Sequence, residues 1–149
     1  MAFECLDLTR EPLPEGPFDV ILSIDSIYFL GDFTNTIRQM QSRLAQSGSL
    51  ILSAFQVKGE EDPEDSLLPE NTWVAEALKS IGLPYLWFDF TENVQRHGLL
   101  NYAIAEKLKE DFYREGNGFL YEARAAENVY FKKAAEAQTI VRYLYNTQT

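Results

Sequence analysis

The most constraining feature of this 149-residue chain is the nearly continuous apolar run Phe18–Ile24, which is followed downstream by a second run at residues 50–55. Such runs are typical of parallel strands that are buried on both faces of a sheet. A helical pattern separates them. Strand, helix and strand in this order form a right-handed crossover unit with a parallel sheet. The sequence therefore predicts an α/β fold.

The segments around this unit continue the alternation of helices and strands. Asp32 or Thr34 can cap a helix that runs to about Ala45, and Ser47-Gly48 is expected to end it. The remaining predicted elements are a short strand at 2–5, an exposed acidic loop at 58–70, a helix from Asn71 or Thr72 to Ser80, a strand at 84–90, a helix from 92 to about 114 capped by Thr91, a helix at roughly 119–138, and a final strand at 139–145.

Composition and charge restrict the partners of the chain. Its net charge is −10, from 23 acidic and 13 basic residues, so we expect it to bind neither nucleic acid nor anionic lipid. No stretch is apolar enough to span a membrane and no signal peptide is visible, which predicts a cytoplasmic protein. With one cysteine and one histidine, no disulfide framework and no Cys/His zinc site is expected.

The order of motifs from residue 18 onward resembles the class I S-adenosylmethionine-dependent methyltransferases. Many members read Phe-Asp-x-x-x-Ser in their fourth strand, as residues 18–23 do here. An acidic loop, a helix, a glycine-containing turn and a hydrophobic fifth strand follow in that family, and Asp25 and residues 44–52 match them. Residues 89–91 (Asp-Phe-Thr) and 142–145 (Arg-Tyr-Leu-Tyr) are similar to the later strands of bacterial small-molecule methyltransferases.

The resemblance covers nearly the whole chain and implies a fold. It implies a partial Rossmann-like methyltransferase sheet, with parallel strands, an antiparallel last strand and helices on both faces. Residues 1–149 would then be one truncated methyltransferase-like domain, with 92–138 as a helical excursion. It also implies a small-molecule methyl acceptor and S-adenosylmethionine as the cofactor.

Carried over position by position, the resemblance also implies a cofactor site. Asp7 would accept a hydrogen bond from the adenine amine, and the backbone of Leu8 would donate to the ring. Ile24 and Asp25 would lie beside the methionine and sulfonium part of the cofactor, at the carboxyl end of a strand, where ligands of open α/β sheets bind. Tyr28 and Phe29 could wall the sulfonium through a cation–π contact.

Catalysis of methyl transfer requires mainly alignment, and a base only when the acceptor must lose a proton. Asp25 and His97 are the candidates for that base, with Tyr28 as a third. Each has a structural alternative, because Asp25 can simply turn the chain after a strand and His97 can be a solvated helix residue. Tyr28 can likewise be an ordinary packing residue.

One part of the family pattern is missing. No Gly-x-Gly loop follows a strand, since Gly116-Asn117-Gly118 lies between two predicted helices. The chain is therefore expected to be an incomplete methyltransferase, or alternatively a non-catalytic binding or assembly module. A nicotinamide-dependent dehydrogenase would need the same loop. Without the preceding strands, the edge of Phe18–Ile24 should be covered by a homodimer partner, by another protein or by the N-terminal segment.

Overall fold

The computed structural model describes residues 4–8 and 10–148. The described residues within 1–55, 68–88 and 143–149 form one compact unit, and residues 56–67 with 89–142 form the second. In chain order the elements are β1 (Phe18–Ile24), a 3₁₀ turn (Ile27–Phe29), α1 (Phe33–Gln41), β2 (Leu44–Val57), α2 (Trp73–Ser80), β3 (Tyr85–Asp89), α3 (Thr91–Arg114), α4 (Gly118–Glu136) and β4 (Ile140–Gln148).

The four strands form one sheet in the order β1-β2-β4-β3. β1 and β2 are parallel, whereas β4 is antiparallel to its neighbours. The ring contacts of Tyr85 with Tyr145 and of Trp87 with Tyr143 show this direction, because the residue number rises along β3 as it falls along β4. The predicted α/β fold with an antiparallel last strand is confirmed.

The predicted end of the first helix is wrong. α1 ends at Gln41, and Ser47 and Gly48 lie within β2. The pairing of β1 with β2 is irregular there, since it passes from Phe18 opposite Leu44 to Val20 opposite Ser49. A Cβ atom at Gly48 would stand 3.0 Å from the Phe18 carbonyl oxygen. This glycine therefore permits close strand approach and does not stop the helix.

Two predicted helix caps are confirmed, and a third is wrong. The Asp32 carboxylate accepts the Asn35 N–H at 2.9 Å, and the Thr72 hydroxyl accepts the Ala75 N–H at 3.3 Å. Thr91 is instead the first residue of α3. Its hydroxyl accepts the Arg142 N–H at 3.0 Å, so it joins the helix start to β4.

Other local predictions have mixed outcomes. Residues 58–70 form turns without helix or strand, as expected for a loop. The strand predicted at 2–5 lies mostly outside the described residues, and Glu4 and Cys5 have no regular structure. The residues buried on α4 are Gly118, Tyr121 and Ala134. No helix among the described residues has the length and apolar character to cross a bilayer.

Tyr145 on β4 connects the sheet to the loop before α2. Its side chain is 1% exposed, and its hydroxyl donates to the Pro69 carbonyl at 2.7 Å and shares a 2.5 Å bond with the Thr72 hydroxyl. Burial is the main cause that raises the pKa of Tyr145 above the ordinary tyrosine value. The bonds hold the start of α2 against the face of the sheet that carries Tyr145.

β1 exposes one of its faces. Val20, Leu22 and Ile24 alternate along the strand, so they point to the same side, and they are 57%, 58% and 52% exposed. Among the described residues, β1 pairs only with β2. The expected open edge at Phe18–Ile24 is therefore present.

The second unit contains a helical hairpin in which α3 packs against α4. The Tyr121 hydroxyl on α4 donates to the Glu106 carboxylate on α3, which raises the pKa of Tyr121 to about 12. Tyr113 donates to Glu122 at 2.7 Å in the opposite direction, from α3 to α4. Reciprocal bonds of this kind hold the two helices in one register.

Replacement of Tyr145 tests the connection between β4 and α2. Tyr145→Phe removes the hydroxyl and leaves the buried Pro69 carbonyl without its nearest donor. We expect the free energy of unfolding in urea at pH 7 to fall by about 1–3 kcal/mol. Tyr130→Phe is the control, because Tyr130 is 52% exposed. This variant should change the free energy of unfolding by no more than about 0.5 kcal/mol.

The pH dependence gives a second measurement on the same variant. Because the folded pKa of Tyr145 is raised, the stability that it contributes is complete below about pH 10, the ordinary tyrosine value. That stability is lost as the pH rises through the folded pKa. Tyr145→Phe should lack this alkaline component, and equal alkaline slopes for the variant and the wild type would contradict the assignment.

Candidate functional site

The chain leaves the sheet at Asp25, directly after β1. The backbone of Asp25 has a φ of +49°, in the left-handed region that few side chains other than Asn and Asp adopt. Its N–H donates to the Ser53 carbonyl of β2 at 2.9 Å. Its half-buried side chain therefore leaves from a fixed point at the carboxyl ends of two parallel strands.

The turn after Asp25 is held from both sides. Ser23 and Ser26 share a hydroxyl–hydroxyl bond of 2.9 Å across it. Ile27 is fully buried and anchors the 3₁₀ turn. This anchoring leaves the next two side chains, Tyr28 and Phe29, at the strand end, with Phe29 72% exposed.

Tyr28 belongs to a group of five rings, which we call the aromatic cluster: Tyr28, Phe29, Phe33, Phe55 and Trp73. The Tyr28 ring centre lies 4.7 Å from Phe29, 5.4 Å from Phe55 and 6.5 Å from Trp73. Phe33 and Trp73 are 4.7 Å apart, and the Trp73 indole N–H donates to the Phe55 carbonyl at 3.4 Å. Aromatic ring faces attract cations, and the first ring of the cluster, Tyr28, follows Asp25 by three residues.

Three members of this cluster were not predicted as site residues. Phe55 follows the buried part of β2, and Phe33 and Trp73 are the first residues of α1 and α2. Carboxyl ends of parallel strands and starts of the helices that follow share one edge of an α/β sheet. These rings could therefore have been predicted as site residues from their positions at the end of a strand and at the starts of two helices.

Asp7 and Leu8, predicted to contact adenine, lie in a separate turn of the first unit. The Asp7 carbonyl accepts the N–H groups of Arg10 and Glu11 at 2.9 and 2.7 Å, and its carboxylate lies 3.5 Å from the Arg10 guanidinium. Leu8 is 40% exposed. It lines a shallow depression with residues that include Leu13, Thr36 and Gln39.

The two candidate bases fall in different units. Asp25 lies in the first unit, whereas His97 lies on α3 in the second, with an exposed side chain. The structure places Ile24, Asp25 and Tyr28 at one strand end, and it does not group His97 with them. No set of three or more His, Cys, Asp or Glu side chains suited to a metal ion occurs within residues 4–8 and 10–148.

Comparison with known proteins supports the fold at the level of structure. No protein-family model and no curated protein sequence matches the chain at a significant level. A solved structure of phosphoethanolamine N-methyltransferase 2 from Haemonchus contortus, bound to phosphomonomethylethanolamine and S-adenosylhomocysteine, matches 96% of this chain and 36% of its own length. The TM-score is 0.76 at 14% identity.

Two further structures match with similar quality. The cyclopropane synthase MmaA2 from Mycobacterium tuberculosis matches 91% of this chain and 56% of its own length, with a TM-score of 0.74 and 14% identity. The [4+2]-cyclase SpnF matches 99% of this chain and 55% of its own length, with a TM-score of 0.68 and 19% identity. The chain thus spans no more than 56% of the length of any of these three structures.

The resemblance to class I S-adenosylmethionine-dependent methyltransferases is confirmed at the level of the fold. The sheet, in which β4 lies between β2 and β3, has the parallel strands and the antiparallel last strand that the resemblance implied. The positions of the predicted site residues relative to a cofactor remain predictions.

The left-handed backbone at Asp25 leads to a prediction about stability. Asp25→Val places a β-branched residue at a φ of +49°, whereas Asp25→Asn keeps a residue that tolerates this conformation. The valine variant should unfold with a free energy lower than that of the asparagine variant by about 1–3 kcal/mol. Chemical denaturation followed by circular dichroism measures the difference, and equal stabilities would show that the backbone there relaxes freely.

Proposed function

We propose that this chain supplies the second part of an S-adenosylmethionine-dependent methyltransferase site that acts on a small-molecule acceptor. The observation that carries the proposal is the strand-end corner of Ile24, Asp25 and Tyr28. It stands at the edge of a sheet whose fold is shared with the Haemonchus enzyme, which was solved with S-adenosylhomocysteine. A half-buried carboxylate beside aromatic faces suits a sulfonium cation.

The proposed roles follow the carried-over positions. Asp7 accepts from the adenine amine and the Leu8 amide donates to the ring. Asp7 must first release Arg10, and this is a weak contact because both side chains are largely solvent-exposed. Ile24 and Asp25 flank the methionine part, and Tyr28 turns a ring face to the sulfonium.

The residues present fit only part of the cofactor. The acidic and aromatic corner fits the sulfonium, but the described residues include no Gly-x-Gly loop after a strand. Such a loop lets backbone approach a bound ligand closely. We therefore propose that a separate partner chain supplies this loop and pairs with the open edge of β1. A second copy of the chain at that edge is the alternative.

The contribution of this chain to methyl transfer would be alignment. S-adenosylmethionine, when bound, supplies the methyl group. Asp25 and the aromatic cluster hold the sulfonium and exclude water, which orients the acceptor for in-line attack. Where the acceptor must lose a proton, Asp25 is the proposed base, and His97 is the alternative base.

A second candidate function is a non-catalytic binding or assembly module. It is favoured because the described residues include no Gly-x-Gly loop after a strand. The similarity to SpnF, described as a [4+2]-cyclase, adds only that this fold does not fix one reaction. The two candidates differ in whether this chain engages the sulfonium at Asp25.

Cofactor titration tests the proposal. We expect S-adenosylhomocysteine, raised to millimolar concentration, to shift the NMR resonances of Ile24, Asp25 and Tyr28, since these residues would line the methionine side. Adenosine alone should shift Asp7 and Leu8 only. The absence of any shift at these five residues would favour the non-catalytic module.

A charge variant makes the test specific for the sulfonium. Asp25→Asn should weaken S-adenosylmethionine binding by about tenfold or more but affect S-adenosylhomocysteine far less, because only the former carries the positive charge. Asp32→Asn is the matched control, because asparagine still caps α1. If Asp25→Asn weakened the binding of both ligands equally, the proposed contact of Asp25 with the sulfonium would be rejected.

A further inference from the structure

The helical hairpin exposes an apolar stripe on α3. Leu100, Ile104 and Leu108 are four residues apart, so they lie on one side of the helix. Their side chains are 56%, 54% and 43% exposed. Contiguous apolar surface of this kind marks interaction sites on soluble proteins.

The hairpin is also the part of the chain with the most balanced charge. Residues 91–138 contain eight acidic and seven basic side chains, a net charge of −1, and the rest of the chain carries −9. Identical copies repel each other through the acidic remainder. The hairpin is therefore the surface on which two copies can meet with the least repulsion, whereas a basic partner would be drawn elsewhere.

The sequence of α3 is complementary to itself about Ile104. In an antiparallel pair with Ile104 on the two-fold axis, Leu100 faces Leu108 of the second copy. His97 then faces Asp111 of the second copy, because both pairs are symmetrical about position 104. In this register no acidic residue of α3 meets an acidic one, and no basic residue meets a basic one.

We propose that α3 pairs with α3 of a second copy of this chain through the stripe of Leu100, Ile104 and Leu108. The contact is isologous, as two-fold dimers require. Each α3 is already packed against its own α4, so two hairpins form a four-helix arrangement around the apolar seam. The bonds of Tyr121 to Glu106 and of Tyr113 to Glu122 keep each hairpin in one conformation. The pairing does not depend on cofactor binding.

Sedimentation equilibrium of the full chain tests the pairing. We expect a particle of twice the 17.1 kDa chain mass at micromolar concentration. Ile104→Glu sets two carboxylates against each other on the axis and should raise the dimer dissociation constant by about a hundredfold or more. Leu99→Glu is the matched control, since Leu99 is 59% exposed on another side of the same helix and its dimer should persist.

Cross-linking tests the register independently of association strength. Cys5 is an exposed free thiol, so Cys5→Ser provides the background. Ile104→Cys in that background should form a disulfide-linked dimer under mild oxidation, because the residue meets its own copy on the axis, and Leu99→Cys should not. If Ile104→Glu fails to fold, this cross-linking measurement still shows whether α3 pairs with α3 of a second copy.

Three results would overturn the proposal. A wild-type chain that stays monomeric at all concentrations is the first, and equal cross-linking at positions 99 and 104 is the second. The third is a dimer that survives Ile104→Glu but is lost in Leu22→Glu, which would assign the contact to the exposed face of β1. Cofactor titration of the same samples reports separately on the proposed function.

Discussion

The parallel pairing of β1 with β2 is the constraint on which the candidate site depends. Two parallel strands point their carboxyl ends to the same edge, so the chain after β1 turns away beside the last residues of β2. The bond from the Asp25 N–H to the Ser53 carbonyl fixes where that turn begins. Tyr28 then meets Phe55, although the two residues are far apart in sequence. The corner of carboxylate and rings is thus a product of strand direction.

Much of the fold follows from the apolar pattern of the sequence. β1 matches the predicted strand, and α2, α3 and β3 begin and end within about two residues of their predicted limits, the usual uncertainty of element ends. The boundary between α1 and β2 could not be predicted from the apolar pattern. Leu44 and Ala45 fit a helical period, and Gly48 reads as a helix stop. In the fold, a Cβ atom at Gly48 would stand only 2.9 Å from the Ala45 carbonyl oxygen and 3.0 Å from the Phe18 carbonyl oxygen, which favours glycine there.

A site residue could be predicted where its own position in the sequence pattern pointed to the edge of the sheet. Asp25 stands after a buried strand, and the general rule for open α/β sheets directs attention there. The aromatic cluster is different, because its rings come from the turn after β1, the end of β2 and the starts of two helices. Only the tertiary fold shows that such separate segments share an edge.

The left-handed backbone at Asp25 separates the fold of this chain from its chemistry. The conformation restricts that position to a few residue types, chiefly Asp, Asn and Gly. Within this narrow set, exchange of the carboxylate for an amide preserves the turn and removes the negative charge. Under the role proposed for Asp25, one such substitution would therefore remove charge-dependent binding and leave the sheet around it unchanged.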